Sequence, residues 1–91
     1  MKSFRLIISS PDGNLFDGET QMLSLRGAEG DLAVLAGHIP FITSVKPGKC
    51  KVVLPDGEER LGSAESGLLT VSDDAVTLLS GSFCWETEKD R

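Results

Sequence analysis

The sequence has no apolar run long enough to cross a membrane. Its longest unbroken apolar stretch is residues 32–36, whereas a membrane-spanning helix needs about 20 such residues. Residues 1–8 contain two basic side chains and then only three consecutive aliphatic ones, so we expect no secretory signal peptide. With 91 residues, of which 40% are hydrophobic and 25% charged, the chain can build one packed core, which predicts a single domain.

Positive charge is scarce as well. Nine lysine and arginine residues stand against 14 aspartate and glutamate residues, which gives a formal net charge of −5. An acidic surface repels phosphate groups, so the composition argues against nucleic acid as a partner and against direct insertion into an anionic lipid surface. The local basic cluster of Lys46, Lys49 and Lys51 is typical of a solvated strand face, and an interaction face is the alternative.

Residues that bind metals or carry redox chemistry are few. Cys50 and Cys84 lie far apart in the sequence, and His38 is the only histidine. A metal site built from soft or imidazole ligands needs at least three of them, so we expect no metal and no cofactor. The two thiols are expected to be reduced and partly buried in strands, and a disulfide would require the two strands to be neighbours.

The sequence contains no recognisable catalytic motif. Residues 63–67 lack the leading glycine of a nucleophile elbow. The glycine-rich residues 27–31 are not followed by the lysine and hydroxyl residue of a phosphate-binding loop, and Glu29 and Asp31 would repel an anion. An acidic turn is the structural interpretation of this segment, and an exposed docking tip is the functional one. No catalytic residue is predicted, although a small barrel enzyme with His38 as the base stays an alternative.

Turn-forming residues, in contrast, are spread along the whole chain. Glycine and proline interrupt it at short intervals, including residues 11–13, 17–18, 47–48 and 62, which is typical of an all-β sandwich or barrel. Between these positions apolar and polar residues alternate, which predicts strands with one buried face. The predicted buried faces contain Phe4, Leu6 and Ile8; Leu23 and Leu25; and Cys50, Val52 and Leu54.

Turn chemistry predicts two hairpins. One turns at Pro55-Asp56-Gly57, and the other turns at residues 72–74. Residues 83–91 are the only helix-compatible stretch, but it is too short to stand alone. Phe83 and Trp85 are expected to cap one edge of the core. The β-sandwich domain is therefore predicted over residues 1–85, with nine or ten strands, and a polar tail over residues 86–91.

Several segments together resemble a known family. Residues 10–19, 27–32, 35–43 and 46–48 have the sequences SPDGNLFDGE, GAEGDL, LAGHIPFIT and KPG, and residues 68–71 and 76–79 continue the match in order. In this combination of glycine, histidine and proline spacing, the chain resembles the N-terminal β domain of the epsilon subunit of bacterial rotary (F-type) ATP synthase. The resemblance covers nearly the whole chain, from about Phe4 to Gly81.

The resemblance implies a fold. It is an all-β, ten-stranded β-sandwich or flattened barrel in a single domain. The family usually continues with two C-terminal helices, whereas this sequence stops where the first of them would begin, so we expect no C-terminal helical hairpin.

The resemblance also implies a function, that of a non-catalytic rotor-stalk subunit. Such a subunit links the gamma subunit to the membrane c-ring and supports the coupling of proton transport to ATP synthesis. Its contact with the alpha/beta catalytic hexamer would be indirect, and it would lie at the cytoplasmic face of the bacterial plasma membrane. A β-sandwich adaptor for another protein, without catalytic activity, is the alternative.

Two sets of contact residues are carried over from the family by position. Glu29, Gly30 and Asp31 are expected to face the c-ring. The expected contacts with the gamma subunit are Ser10, His38, Ile42 and Thr43.

Overall fold

The computed structural model describes residues 2–37 and 39–86, which form ten β-strands. The strands are β1 (Phe4–Ser10), β2 (Gly13–Thr20), β3 (Met22–Gly27), β4 (Gly30–Leu35), β5 (Phe41–Val45), β6 (Gly48–Val53), β7 (Glu59–Ala64), β8 (Gly67–Val71), β9 (Val76–Ser80) and β10 (Phe83–Trp85). The predicted all-β, ten-stranded architecture is confirmed. No helix among the described residues is long and apolar enough to cross a membrane.

The strands form two halves of one nearly closed sheet. One half has the order β4-β3-β6-β7-β10, and the other has the order β5-β8-β9-β1-β2. The halves are joined where Gly27 of β3 pairs with Val45 of β5, and the backbone N–H of Lys46 donates to the carbonyl of Arg26 at 2.9 Å. Within the described part of the chain, only β1 and β9 pair in parallel. Because the halves share a single pair at this corner, they can fold over each other as the two layers of a sandwich.

The core lies between the two layers. Leu6, Ile8, Leu23 and Val52 have no exposed surface, and Cys50 is also buried, so the predicted alternation is confirmed on β1, β3 and β6. Burying each aliphatic side chain of this size contributes about 1.5–3 kcal/mol. Partly buried apolar residues pack against this core: Phe4, Leu15, Phe16, Leu32, Leu54 and Trp85.

Both predicted hairpins are present. Gly57 has a φ of 93° and its N–H donates to the carbonyl of Leu54 at 2.8 Å, which closes the β6–β7 turn. In the β8–β9 turn, the N–H of Ser72 donates to the carbonyl of Ala75 at 3.0 Å, and its hydroxyl donates to the same carbonyl at 2.9 Å. These bonds close both hairpins at the positions that the sequence predicted.

Trp85 closes the gap between the two outer strands β10 and β2. A bulge between β1 and β2 leaves Leu15 without a ladder partner, and the Leu15 carbonyl accepts the Trp85 indole N–H at 3.3 Å. The indole ring also meets Phe16 and Phe83 edge to face, with centroids 6.1 and 4.9 Å apart. The expected cap over one edge of the core is confirmed, because Phe83 belongs to the core and Trp85 packs against it.

Three sequence expectations need correction or fall outside the described residues. Residues 17–18 and Gly62, which we expected to interrupt strands, lie inside β2 and β7. The start of the helix-compatible stretch is β10, which pairs with β7. The predicted tail lies outside the described residues from 87 onward, while the N–H of Glu86 donates to the carbonyl of Leu61 at 2.8 Å.

Candidate interaction surfaces

An uncharged surface covers the outside of the half sheet β5-β8-β9-β1. Strand register aligns outward side chains in two rows across these four strands. The inward neighbours on the same strands, such as Leu69, Val71 and Leu78, are buried, which fixes the alternate residues as outward. We call this surface the uncharged face: Ile42, Thr70, Thr77 and Ile7 in one row, and Ser44, Leu68, Leu79 and Ser9 in the other.

Large apolar side chains lie open on this face. Ile42 is 67% exposed, Leu79 is 47% exposed and Leu68 is 40% exposed. None of the eight positions is charged, although a quarter of the sequence is. A contiguous apolar surface with a polar surround is characteristic of a protein–protein contact.

The structure separates the expected gamma contacts. Ile42 lies on the uncharged face, and Ser10 follows Ser9 at its border, where the Ser10 hydroxyl accepts the N–H of Asp12 at 3.2 Å. Thr43 is half-buried on the opposite side of β5 from Ile42, and its hydroxyl donates to the carbonyl of Ser44 at 3.3 Å. His38 lies outside the described residues.

Leu68 and Leu79 were not predicted from the sequence as contact residues. Each belongs to a Leu-Leu pair, in which one leucine is buried and the other exposed. A run of apolar residues does not show which member faces the core until the pairing register is known. The available signal was that two such pairs, residues 68–69 and 78–79, belong to consecutive strands of one hairpin.

The acidic turn lies beside this face. Ala28 and Glu29 connect β3 to β4, and Gly30 closes the turn against Gly27 with a φ of 127°, a backbone conformation that favours glycine. Glu29, Gly30 and Asp31 are all exposed. They line one shallow groove together with Phe41, Ile42 and Thr43. The expected c-ring residues and two of the expected gamma residues are therefore neighbours.

Two of the three lysines in the basic cluster have carboxylates nearby. Lys49 pairs with Glu86, and the Lys51 ammonium lies 4.0 Å from a carboxylate oxygen of Glu59. Exposed pairs of this kind contribute little to stability. Since the positive charges of β6 are balanced locally, the solvated strand face is the better of the two interpretations.

The two cysteines cannot form a disulfide with each other. Cys50 pairs with Gly62 and Cys84 pairs with Ser63, so β7 lies between their strands and the two side chains point to opposite faces. Two strand spacings are about 10 Å, which is beyond the usual Cα–Cα limit of about 7 Å. Cys50 is buried as expected, but Cys84 is exposed rather than partly buried. Burial raises the pKa of the Cys50 thiol to about 12.

Metal-binding groups do not cluster in the described part of the chain. No three histidine, cysteine, aspartate or glutamate side chains there come together in an arrangement that could hold a metal ion.

Comparison with known proteins identifies the family. A family model described as the β-sandwich domain of the ATP synthase delta/epsilon chain matches residues 3–86. The ATP synthase epsilon chain of Bacillus velezensis is 38% identical over 80 residues, which cover 88% of this chain and 60% of that relative. The chain thus spans about 60% of the length of this relative.

Two solved structures share the fold. One is the Euglena gracilis mitochondrial ATP synthase structure, which contains OSCP, F1 and the c-ring. A chain of that structure superposes with a TM-score of 0.88 at 22% identity, and the match covers 97% of this chain and 56% of that one. A chain from the central stalk and c-ring of the Tetrahymena thermophila mitochondrial enzyme gives a TM-score of 0.73 at 14% identity, covering 99% and 73%. With the fold and the family model in agreement, this chain belongs to the family of the β-sandwich domain of ATP synthase delta/epsilon chains.

Proposed function

We propose that the chain is a non-catalytic subunit of the central rotor stalk of a proton-translocating F-type ATP synthase. In this role it links the gamma subunit to the membrane c-ring and supports the coupling of proton transport to ATP synthesis. Family membership supports the proposal. The observation that carries it is the uncharged face, because a stalk subunit must hold a partner protein firmly while it turns.

The uncharged face is proposed as the gamma contact. Ile42, Leu68 and Leu79 supply exposed apolar area, and the surrounding hydroxyl residues can form a polar rim. Ser10 lies at the border of this surface, and His38 and Thr43 are retained as proposed contacts from the family resemblance. Because the sandwich beneath the face is a packed core, it deforms little and can transmit torque.

The acidic turn is proposed as the c-ring contact. Glu29, Gly30 and Asp31 are exposed at one edge of the sandwich, so they can meet a second partner while the uncharged face holds the first. The domain would then be peripheral at the cytoplasmic face of the bacterial plasma membrane, without entering the lipid and with only indirect contact to the alpha/beta hexamer.

A matched pair of variants tests the gamma contact. Leu79→Glu places a charge in the middle of the uncharged face. Leu61→Glu places a charge on the outer surface of β7, in the other layer of the sandwich. The two leucines are 47% and 45% exposed, so the variants should lose similar stability. We expect Leu79→Glu to lower co-purification with the gamma subunit by about tenfold or more and Leu61→Glu to leave it unchanged.

Thermal melting of both variants separates docking from folding. Equal binding of gamma by both folded variants would overturn the assignment of the face. Absence of gamma binding by the unmodified chain would overturn the stalk function itself and favour the adaptor alternative.

A further inference from the structure

The outer edge of β4 presents backbone groups that its own sheet does not use. Among the described residues β4 pairs with β3 alone. The turn-closing pair Gly27–Gly30 is followed by Arg26–Asp31 and Leu25–Leu32. The Arg26 carbonyl accepts a hydrogen bond from Lys46 on the other side of β3, so Arg26 does not exchange hydrogen bonds with Asp31. By the alternation of antiparallel ladders, the N–H and C=O groups of Asp31 and Ala33 point away from β3, toward the open edge.

This edge lacks the protection that the outer strands β2 and β10 have. On β2 a bulge breaks the register, and the Trp85 indole covers the carbonyl of Leu15. β10 is only three residues long. β4 has six residues in unbroken register with β3, no proline, and the small side chain of Ala33 at its centre. Proteins normally block such an edge, unless another strand is meant to pair with it.

We propose that the β4 edge is a docking site for an extended segment of another polypeptide, which adds to the sheet as a strand. Peptide N–H and C=O groups are the chemical complement of the groups that Asp31 and Ala33 present. The inference goes beyond the stalk function and does not depend on it, because it concerns the outward backbone N–H and C=O groups of Asp31 and Ala33, whereas the proposed c-ring contact uses the exposed acidic turn.

Charge defines the kind of segment that fits. Glu29 and Asp31 stand at one end of the edge and are exposed, so the incoming strand carries a basic residue beside Asp31. Leu32 and Phe41 line the adjoining groove, which favours an apolar residue next to the basic one. A second copy of this chain is a poorer occupant, because each copy has a net charge of −5 and the two would repel.

Residue-resolved amide exchange of the full chain tests both parts of the inference. In the free protein we expect Asp31 and Ala33 to exchange quickly, while Leu32 and Val34 are protected. A short, blocked peptide of alternating valine and threonine with one lysine is the probe. At about 1 mM peptide, exchange at Asp31 and Ala33 should slow by about tenfold.

Two control peptides distinguish strand pairing from nonspecific binding. The same peptide with methylated backbone nitrogens, which cannot donate, should give no protection. Replacing its lysine by glutamate should weaken binding several-fold, since Asp31 then meets a like charge.

A pair of protein variants tests the edge itself. Ala33→Pro removes the outward N–H donor at the centre of β4, and Ala33→Val keeps it. Peptide binding should survive only in Ala33→Val.

Amide exchange of the unmodified chain decides the question even if Ala33→Pro does not fold. Protection of Asp31 and Ala33 in the free chain at low concentration, or no added protection with the probe, overturns the proposal. Sedimentation that shows dimers held through β4 would make a second copy the occupant and overturn the assignment to a foreign strand. If the methylated peptide binds as well as the unmethylated one, the proposal is also overturned, because the methylated peptide cannot donate backbone hydrogen bonds.

Discussion

The two thiols of this chain have opposite environments although they lie on strands separated by only one other. Cys50 points into the core, where burial raises its pKa to about 12, and Cys84 is exposed. Because the thiolate is the reactive form, very little of Cys50 is reactive near pH 8 in the folded chain. We therefore expect one fast-reacting thiol per folded chain in a disulfide-exchange assay, and a second only after unfolding.

Single-cysteine variants assign the two reactions. Cys84→Ser should abolish the fast phase, and Cys50→Ala should retain it. Two equivalents reacting at the same rate in the folded protein would contradict the buried position of Cys50.

Arg5 and Asp17 form a two-point ion pair across β1 and β2. The guanidinium donates two hydrogen bonds of 3.0 Å to the two carboxylate oxygens. These hydrogen bonds hold the pKa of Asp17 below its ordinary value. The charged carboxylate is thus favoured in the folded state, so the stabilisation is present above the unfolded pKa and is lost as the pH falls through the ordinary aspartate range toward the folded pKa.

A carboxyl titration followed by NMR tests this pair. Arg5→Gln should return the pKa of Asp17 toward its ordinary value, because it removes the charge and the two-point geometry. Arg60→Gln, which removes an arginine from β7, should leave the titration of Asp17 as it is. An Asp17 midpoint that does not respond to Arg5→Gln would show that the pair is not formed in solution.

At the scale of the strand, Gly67 is required for the pairing of β8 with β9. A Cβ atom placed on Gly67 would lie 1.9 Å from the carbonyl oxygen of Leu79, whereas one on Gly81 would meet nothing closer than the Ser66 carbonyl at 3.8 Å. Gly67→Ala should therefore destabilise the fold by about 3 kcal/mol or more. Gly81→Ala, in the same region, should change stability by less than about 1 kcal/mol. Urea unfolding of both variants provides the comparison, and equal midpoints would show that the backbone relaxes around the added methyl group.

Much of the strand pattern follows from the sequence because alternation and turn chemistry are local. The Pro55-Asp56-Gly57 turn and the inward residues of β1, β3 and β6 need no knowledge of distant contacts. Gly62 behaves differently, since it lies inside β7 and a Cβ atom placed on it would be only 2.6 Å from the ring of Phe83. A residue-by-residue interpretation treats such a glycine as an interruption, and only the tertiary packing shows that the missing side chain makes room for a ring.

The candidate site was less predictable than the fold, for the same reason. Ile42 could be named from the family resemblance, but Leu68 and Leu79 join it only through the register of β5, β8 and β9. Thr43 shares a strand with Ile42 and nevertheless points the other way. The make-up of a sheet surface depends on pairing between distant segments, and one residue of register reverses every side chain.

At the scale of the whole molecule, the fold brings two candidate contacts to one edge of a rigid body. The hairpin tip of β3 and β4 borders the start of β5, so the acidic turn and Ile42 line the same groove. The two layers are tied at the Gly27–Val45 corner and again by Trp85 across β10 and β2. A force applied at the turn is therefore carried to the uncharged face through a packed core, as a coupling element requires.

The proposed c-ring contact can be tested by reversing one charge. Asp31→Arg should weaken coupling or assembly on the c-ring, because a charged partner at a partly desolvated contact is worth roughly 1–3 kcal/mol. Folding and gamma binding should be nearly unchanged, since the exposed turn adds little to the core. Arg26 lies opposite Asp31, so Glu29→Arg is the companion variant that avoids a new repulsion within the sheet.

The measurement combines thermal melting of each variant with proton pumping by the reconstituted complex. Asp73→Arg changes a carboxylate that is also exposed, in the β8–β9 turn; it is the control for net charge and should pump normally. A sharp fall in melting temperature for Glu29→Arg would make the turn structural. If both turn variants melt and pump like the unmodified chain, the acidic turn does not contact the ring. If Asp73→Arg impairs pumping as much as the two turn variants do, the assignment of the acidic turn to the c-ring also fails. The effect would then depend on net charge and not on the position of the charge.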